Sequence, residues 1–403
     1  MFQTALELDG IVSERAVLDC IEKVFRKYPA VYGRVSRDYN FVPYWKLPPS
    51  AALPPISCKT ISVKDTQSAL AVLQKEVNTP FNGEQEHVAF YIVTAGEKSF
   101  FAMMFDHRLF DARGADTFLG IIQKEFLGAN DCSSEVSVSE PSHLRSWRKH
   151  MQAGFQIRHS MLAGRNRPVR ILPLPQVATI DGFNFTEIFF TFEQSAAIMK
   201  KAEDTAGYLM LMPYLLSVSV LALHKIFTRH GIAVGDYSIP VTVDMRQPGH
   251  ILEKMFFNHW SLFNILVEGD DAGNLARVVQ SIKKQLYEQV SSNFLKHFQE
   301  SSYLMRGFPL PVLSRLMRRQ LNERRASFSF SYLGETAYPF NEFMGMHIDN
   351  IFHMPRVVMP PGCTIHFNHF CGKFNVVLSY AQGLLDGDDL AVFTESLCSA
   401  MDV

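Results

Sequence analysis

FFAMMFDHRLFDARG, at residues 100–114, predicts a buried strand, a polar turn and a helix in succession. Its first six residues are apolar without interruption, which is typical of a buried strand and too short for a membrane span. His107 follows at the end of this strand, and Asp111 comes four residues later. From Gly114 onward apolar residues recur at helical spacing, so an amphipathic helix is expected there.

The pair His107 and Asp111 allows two interpretations. A histidine at the mouth of a buried strand can act as a general base while the following turn holds it in place. Alternatively, His107 only ends the strand and Asp111 caps the helix. None of the other 13 histidines has an aspartate four residues later, so the H-x-x-x-D spacing occurs once. The motif alone does not choose between the two interpretations.

Length and composition indicate a folded α/β (α+β) protein with two halves. The chain has 403 residues, more than one core usually supports, and 47% of them are hydrophobic. Residues 1–180 are expected to form an N-terminal half, with a Ser- and Arg-rich linker at about 128–180, and residues 181–403 a C-terminal half. The net charge of −1 gives no indication of nucleic-acid binding.

Nothing in the sequence predicts export or an integral membrane span. Residues 1–8 alternate like a strand and lack a basic flank followed by an apolar core, so a cytoplasmic location is expected. Residues 206–223 carry no charge, but Pro213 suits a helix start, and Lys225 follows closely, so we predict a buried helix. The six cysteines form no C-x-x-C pair and are expected to be reduced.

One cluster has the composition of a zinc site: Cys363, His366, His369 and Cys371. The intervening residues have the pattern of a strand, which sends alternate side chains to opposite faces. His366 would then face away from the other three, and four ligands could not converge. We therefore predict no metal site.

Five motifs, in this order along the chain, carry a resemblance. They are RKYPAV at 26–31, TPFN at 79–82, HRLFD at 107–111, VDMR at 243–246 and FSYLG at 330–334. In order and content they resemble the CoA-dependent acyltransferase superfamily typified by chloramphenicol acetyltransferase. The condensation domains of peptide synthetases and the stand-alone alcohol acyltransferases are the most similar members. The likeness covers almost the whole chain.

The chain also departs from the pattern of that superfamily. Asp106 stands where condensation domains usually carry another histidine, and Ala112 replaces the glycine after the aspartate. Phe257 and Asn258 stand where Gly-Asn is common. The D-F-G-W-G motif of plant relatives and the G-x-D-S carrier site are absent from the sequence. Any thioester donor would therefore come from outside the chain.

The resemblance implies two similar α/β halves with a tunnel between them and His107 at its midpoint. His107 would act as general base in direct acyl transfer, without an acyl-enzyme. The donor would be an acyl-CoA or an acyl carrier protein, whose phosphopantetheinyl thioester is a co-substrate, and no cofactor would be permanently bound. The acceptor would be an alcohol or amine, either a small molecule or a lipid.

The resemblance also implies roles for other residues. Asp111 would be structural and paired with Arg246. Ser331 and Asn258 are candidates, by position, for stabilising the oxyanion or binding substrate.

Two alternatives remain open. A non-catalytic docking or scaffold protein could have the same fold, although the presence of both His107 and Asp111 favours an acyltransferase. A nucleophilic hydrolase is disfavoured because the sequence has no G-x-S-x-G elbow.

Overall fold

The structure is a computed structural model that describes residues 1–39, 43–48, 53–129, 146–162, 167–175, 182–247, 249–306, 311–312, 315 and 326–403. The strands are β1 (Phe2–Asp9), β2 (Arg34–Arg37), β3 (Pro43–Lys46), β4 (Cys58–Val63), β5 (Val88–Ala95), β6 (Lys98–Phe105), β7 (Phe183–Phe189), β8 (Tyr237–Asp244), β9 (Trp260–Val267), β10 (Ser329–Glu335), β11 (Glu342–Phe343), β12 (Met346–Pro355), β13 (Cys363–Phe370) and β14 (Lys373–Ala381). The helices are α1 (Glu14–Lys27), α2 (Thr66–Asn78), α3 (Ala112–Phe126), α4 (Trp147–Leu162), α5 (Phe192–Ala206), α6 (Leu211–Arg229), α7 (Leu275–Ser291), α8 (Phe294–Arg306) and α9 (Gly387–Met401), and a short 3-10 helix covers Pro29–Tyr32.

The apolar run that precedes His107 forms β6, an interior strand of the first sheet. The strand order of this sheet is β11-β12-β1-β6-β5-β4, and only the β4–β5 pair is parallel. Phe101, Met103 and Phe105 join one apolar core, while Phe100 and Met104 join the other. Because both faces of β6 are covered, its sequence is continuously apolar rather than alternating.

The second sheet has the order β7-β14-β13-β10-β8-β9, in which β10 runs parallel to both of its neighbours. One face packs against helices through residues such as Phe330 and Ile365. The opposite face carries a polar row, because Thr242, Ser331 and His366 lie side by side in register on three strands. The α/β fold class, with a mixed sheet and flanking helices in each half, is confirmed.

The two halves are interleaved rather than simply adjacent. β11 and β12 come from the predicted C-terminal half, yet they complete the first sheet, where β12 pairs with β1. Asn368 and Asn375 of the second sheet both donate to the carbonyl oxygen of Ile351 on β12, each at 2.8 Å. The division at residue 180 stays a prediction, but this crossover means that the first sheet needs residues beyond 340.

Several predicted boundaries differ from the structure. The apolar pattern of residues 274–298 predicts one long helix, whereas the structure has two, α7 and α8. They are separated at Asn293, whose φ of 55° lies in the left-handed region. The sequence predicts a strand near residues 187–192, but the strand spans 183–189, because Thr191 forms a capping box with Gln194 and starts α5. The predicted linker contains α4, which packs against α8. The sequence also predicts an arginine-rich helix over residues 311–325, most of which lie outside the described residues.

Within the described part of the chain, one helix is long and apolar enough to cross a membrane, namely α6. In the structure, 67% of its apolar window is buried inside the protein. The helix was predicted to be buried, and it packs against α9, α7 and α5. Its apolar composition is therefore explained by its place in the core.

Candidate active site

His107 lies in a tight turn between β6 and α3. The backbone N–H groups of Leu109 and Phe110 both donate to the carbonyl oxygen of Asp106. The side chains of Leu109 and Phe110 are fully buried. From the other half of the chain, the N–H of Phe257 donates to the carbonyl oxygen of Leu109 at 2.6 Å. The turn is therefore fixed by both halves.

The hydrogen bond of the His107 ring selects its tautomer. Nδ1 lies 2.9 Å from the carbonyl oxygen of Phe110, which can only accept. The neutral ring therefore carries its proton on Nδ1, and the lone pair on Nε2 can accept a proton. The Phe2 ring packs beside the imidazole at a centroid distance of 5.3 Å.

Burial lowers the pKa of His107 below its ordinary value of 6.5. The hydrogen bond to Phe110 and the negative charges of Asp111 and Asp106 act in the opposite direction but do not cancel the effect of burial. The ring is therefore neutral at pH 7, which is the state that a general base requires.

Asp111 makes both of the contacts that the sequence suggested. Its Oδ1 accepts from the N–H of Gly114 at 2.9 Å and caps α3. Its Oδ2 lies 2.8 Å from Nη2 of Arg246 and accepts from the N–H of His259 at 3.1 Å. The carboxylate thus caps a helix of one half and binds a strand end of the other.

Arg246 is held on several sides, and only 2% of its side chain is exposed. Besides Asp111, it binds the carboxylate of Asp244 at 3.0 Å and the carbonyl oxygen of Lys254 at 3.0 Å. Asp244 in turn lies 3.4 Å from Nε of Arg113 on α3. Two acids and two arginines therefore link the start of α3 to the end of β8.

The structure brings Asn258 to the active-site turn. Its Nδ2 donates to the carbonyl oxygen of His107 at 2.7 Å, so this amide holds the backbone of the turn. Ser331 is buried on β10, where its hydroxyl accepts from Thr242 at 2.8 Å. Its neighbour in register is His366, whose ring lies 5.9 Å from the Phe2 ring. Ser331 therefore lies in the polar row of the second sheet.

A second anchor of the turn was missed by the sequence analysis. Asp106 accepts from Nδ1 of the buried His87 at 3.1 Å and from Nε of Arg108. Nε2 of His87 lies 2.7 Å from the carbonyl oxygen of Gly33. Although burial opposes it, these hydrogen bonds hold the pKa of Asp106 well below its usual range. No local pattern around His87 could have revealed a partner 19 residues away.

The residues considered for zinc are divided between the two faces of β13. His369 binds Glu335 at 2.8 Å and Tyr332 at 2.8 Å. His366 points to the polar row instead, where burial and the neighbouring His353 and His107 lower its pKa to about 3. Within the described ranges, no group of three metal-ligating side chains comes together.

The arrangement as a whole suits proton transfer at one nitrogen. A neutral imidazole, whose Nε2 has no hydrogen-bond partner among the described residues, lies on a turn that both halves hold. The neighbouring ion pairs and the Asn258 amide fix the backbone of that turn. Such a site can take a proton from a bound hydroxyl or amine.

Comparison with protein-family models and with curated protein sequences gave no match. Comparison with solved structures gave matches over nearly the whole chain. The first condensation domain of the calcium-dependent antibiotic synthetase, solved with a substrate analogue, matches at a TM-score of 0.68 and 12% identity, covering 100% of this chain and 90% of that one. The trichothecene 15-O-acetyltransferase from Fusarium sporotrichioides matches at a TM-score of 0.69 and 12% identity. The match covers 99% of this chain and 90% of the acetyltransferase.

A third match is the starter condensation domain of rhizomide synthetase, solved as a mutant with C8-CoA and Leu-SNAC. Its TM-score is 0.67 at 10% identity, covering 100% of this chain and 88% of that one. At these identities the likeness establishes the fold. The chain has the same two-sheet fold as these two condensation domains and this acetyltransferase, which is the fold that the resemblance of its motifs implied.

Proposed function

We propose that this chain transfers an acyl group from a thioester to a hydroxyl or amine. The observation that carries the proposal is the environment of His107, whose Nδ1 is bound to Phe110 and whose lowered pKa keeps the ring neutral. The fold shared with an acetyltransferase and with condensation domains supports it.

In the proposed reaction, Nε2 of His107 takes the proton of the acceptor as its oxygen or nitrogen attacks the thioester carbonyl carbon. The carbon–sulfur bond then breaks, and the proton passes from the imidazolium to the departing thiolate. No acyl-enzyme forms, and the charged state of His107 exists only during the transfer. A general base of this kind contributes about 10²–10⁴-fold to the rate.

The proposed donor is an acyl-CoA or an acyl carrier protein, and the proposed acceptor is a small-molecule or lipid alcohol or amine. The thioester is a co-substrate and not a resident cofactor. A cytoplasmic location stays a prediction from the sequence. Asp111, Arg246 and Asn258 are proposed to position the turn, because their contacts reach its backbone and the start of α3.

The test is release of free thiol from a panel of acyl-CoAs in the presence of candidate alcohols and amines. Wild type should release thiol with a given acceptor, and His107→Ala should lower kcat/KM by about 10²–10⁴-fold. His347→Ala, which changes an exposed histidine on β12, is the matched control and should retain activity. Equal thiol release by wild type and His107→Ala would contradict the proposal, and release by neither would favour the non-catalytic scaffold.

A further inference from the structure

Three buried polar atoms cluster beside His107 without a protein partner. They are Oγ1 of Thr4, Nδ1 of His353 and Nδ1 of His366, and no described residue hydrogen-bonds to any of them. The side chains belong to residues that are 0%, 1% and 8% exposed. Buried polar groups in proteins are normally satisfied, so three together need an explanation.

These three residues surround one aromatic ring. Phe2 and Thr4 lie on the same face of β1, and His353 is the partner of Thr4 on β12. The rings of His353 and His366 meet the Phe2 ring edge-on at 6.1 and 5.9 Å. His107 contacts the same ring at 5.3 Å. The cluster is therefore separated from the proposed base by about the width of one phenyl ring.

The chemistry of the cluster fits a neutral hydroxyl. Nε2 of His353 lies 2.9 Å from the carboxylate of Asp116, so Nδ1 is the ring nitrogen that has no partner among the described residues. The Thr4 hydroxyl can donate and accept. A ligand hydroxyl, which also does both, can bond to Thr4 and to Nδ1 of either histidine, whether that nitrogen donates or accepts. A carboxylate only accepts and an ammonium only donates, so neither suits all three groups as well.

We propose that Thr4, His353 and His366 form a polar subsite for a second hydroxyl of the acceptor. The acceptor is then a diol or polyol rather than a simple alcohol or amine. This inference rests on the proposed function, because it describes the molecule that His107 deprotonates. A purely apolar acceptor would leave the three polar atoms unpaired in a water-poor site, which is unfavourable.

The test measures binding of two alcohols that differ only in the far hydroxyl, pentan-1-ol and pentane-1,5-diol. Dissociation constants are determined by ligand-observed NMR on the full chain, with no thioester present. Wild type should bind the diol about tenfold more tightly, as expected for the hydrogen bonds of one buried hydroxyl. In Thr4→Val, which keeps the shape of the side chain, and in His366→Phe this preference should fall to about twofold or less.

The matched control is Ser219→Ala, which removes a buried hydroxyl of α6 that bonds to the carbonyl oxygen of Leu215. It should keep the full preference for the diol. The subsite would be overturned if wild type bound the two alcohols equally or bound neither of them. It would also be overturned if both variants kept the preference for the diol. Either result would leave ordered water as the occupant of the cluster. Because binding requires no turnover, failure of acyl transfer would be recognised separately.

Discussion

At the scale of single residues, the neighbours of His107 determine its chemistry. The carbonyl oxygen of Phe110 fixes the proton on Nδ1, and the Phe2 ring helps to exclude water from the imidazole. Asp111 is directed away from the ring, toward Gly114, His259 and Arg246. The motif therefore contains one residue placed for proton transfer and one placed to hold the turn.

The first prediction concerns the pH dependence of activity. Because burial lowers the pKa of His107 below 6.5, the neutral base persists to lower pH than for a free histidine. The acidic limb of kcat/KM should therefore have its midpoint below pH 6.5, with activity lost as the pH falls through it. Asp111→Asn removes a charge that raises this pKa, so the midpoint should move further down. A midpoint above 6.5 would contradict the assignment.

The second prediction concerns the ion pair between Asp111 and Arg246. Asp111→Asn keeps an oxygen that can cap the helix but removes the negative charge that faces Arg246. The side chain of Arg246 is only 2% exposed, so water cannot replace this charged partner. Breaking a buried pair in this way costs about 3–5 kcal/mol, so the melting temperature and the activity should fall together.

Asp271→Asn, which breaks an exposed pair with Arg277, is the control and should change the free energy of unfolding by less than about 1 kcal/mol. An inactive Asp111→Asn variant with an unchanged melting curve would show that Asp111 acts in the reaction rather than in holding the turn.

At the scale of elements, α3 approaches the other half of the chain closely at its first turn. A Cβ added to Gly114 would lie 2.2 Å from the carbonyl oxygen of Met255, which is a backbone atom and cannot rotate away. Glycine at this position is therefore required by the contact, not by its own backbone angles. The same contact brings Asp111 within reach of Arg246.

Gly114→Ala should accordingly push α3 away from residues 255–258. We expect lower thermal stability, and activity lowered at least tenfold, because small displacements of catalytic groups cost about that much or more. Gly387→Ala is the matched control, since Gly387 also lies in the first turn of a helix and a Cβ there would meet nothing within 4 Å. Wild-type activity in Gly114→Ala would contradict the role of this close contact.

Elements with strong periodicity were predictable from the sequence, and those defined by distant contacts were not. The sequence patterns predict strands over residues 100–105 and 260–267 and a helix over 388–400, and β6, β9 and α9 lie close to these bounds. Each of the three has a clear apolar pattern and a polar boundary. The break at Asn293 was missed because the helical pattern continues through it. The sequence predicts a strand only over residues 344–348, whereas β12 continues to Pro355, because residues 349–355 owe their strand structure to pairing with β1.

The same division applies to the site: residues in local motifs were predictable from the sequence, and residues defined by distant contacts were not. His107, Asp111 and Arg246 follow from short motifs at strand ends, and the contact between the last two is present at 2.8 Å. His87 and His353 have no local signal, because their partners Asp106 and Asp116 are distant in sequence. His366 was weighed only as a metal ligand, since no sequence pattern places it beside Phe2.

At the scale of the whole molecule, β12 joins the two halves into one structure. It pairs with β1 over residues 347–355, and its Ile351 carbonyl accepts from two asparagines of the second sheet. Lys98 on β6 adds ion pairs to Glu7 on β1 and to Asp349 on β12, at 3.0 and 2.8 Å. We therefore expect the two halves to unfold together.

Ile351→Ala should lower the urea midpoint of both halves, because it removes a fully buried side chain at a cost of about 2–5 kcal/mol. Two single-tryptophan variants report on the halves separately, one keeping only Trp45 in β3 and the other only Trp260 in β9. Ile351→Ala should lower the urea midpoint reported by each tryptophan by the same amount, whereas Val290→Ala, at an exposed position, should change neither midpoint. A shift confined to Trp45 would show that the halves unfold independently.

The place of β12 also has a consequence for synthesis on the ribosome. One edge of β1 stays unpaired until residues 346–355 have emerged, long after β5 and β6 are available. An open strand edge can pair with other chains, so the nascent polypeptide passes through an aggregation-prone stage. Chains arrested before residue 346 should be held by chaperones or digested readily by proteases, and chains extended beyond 355 should become resistant.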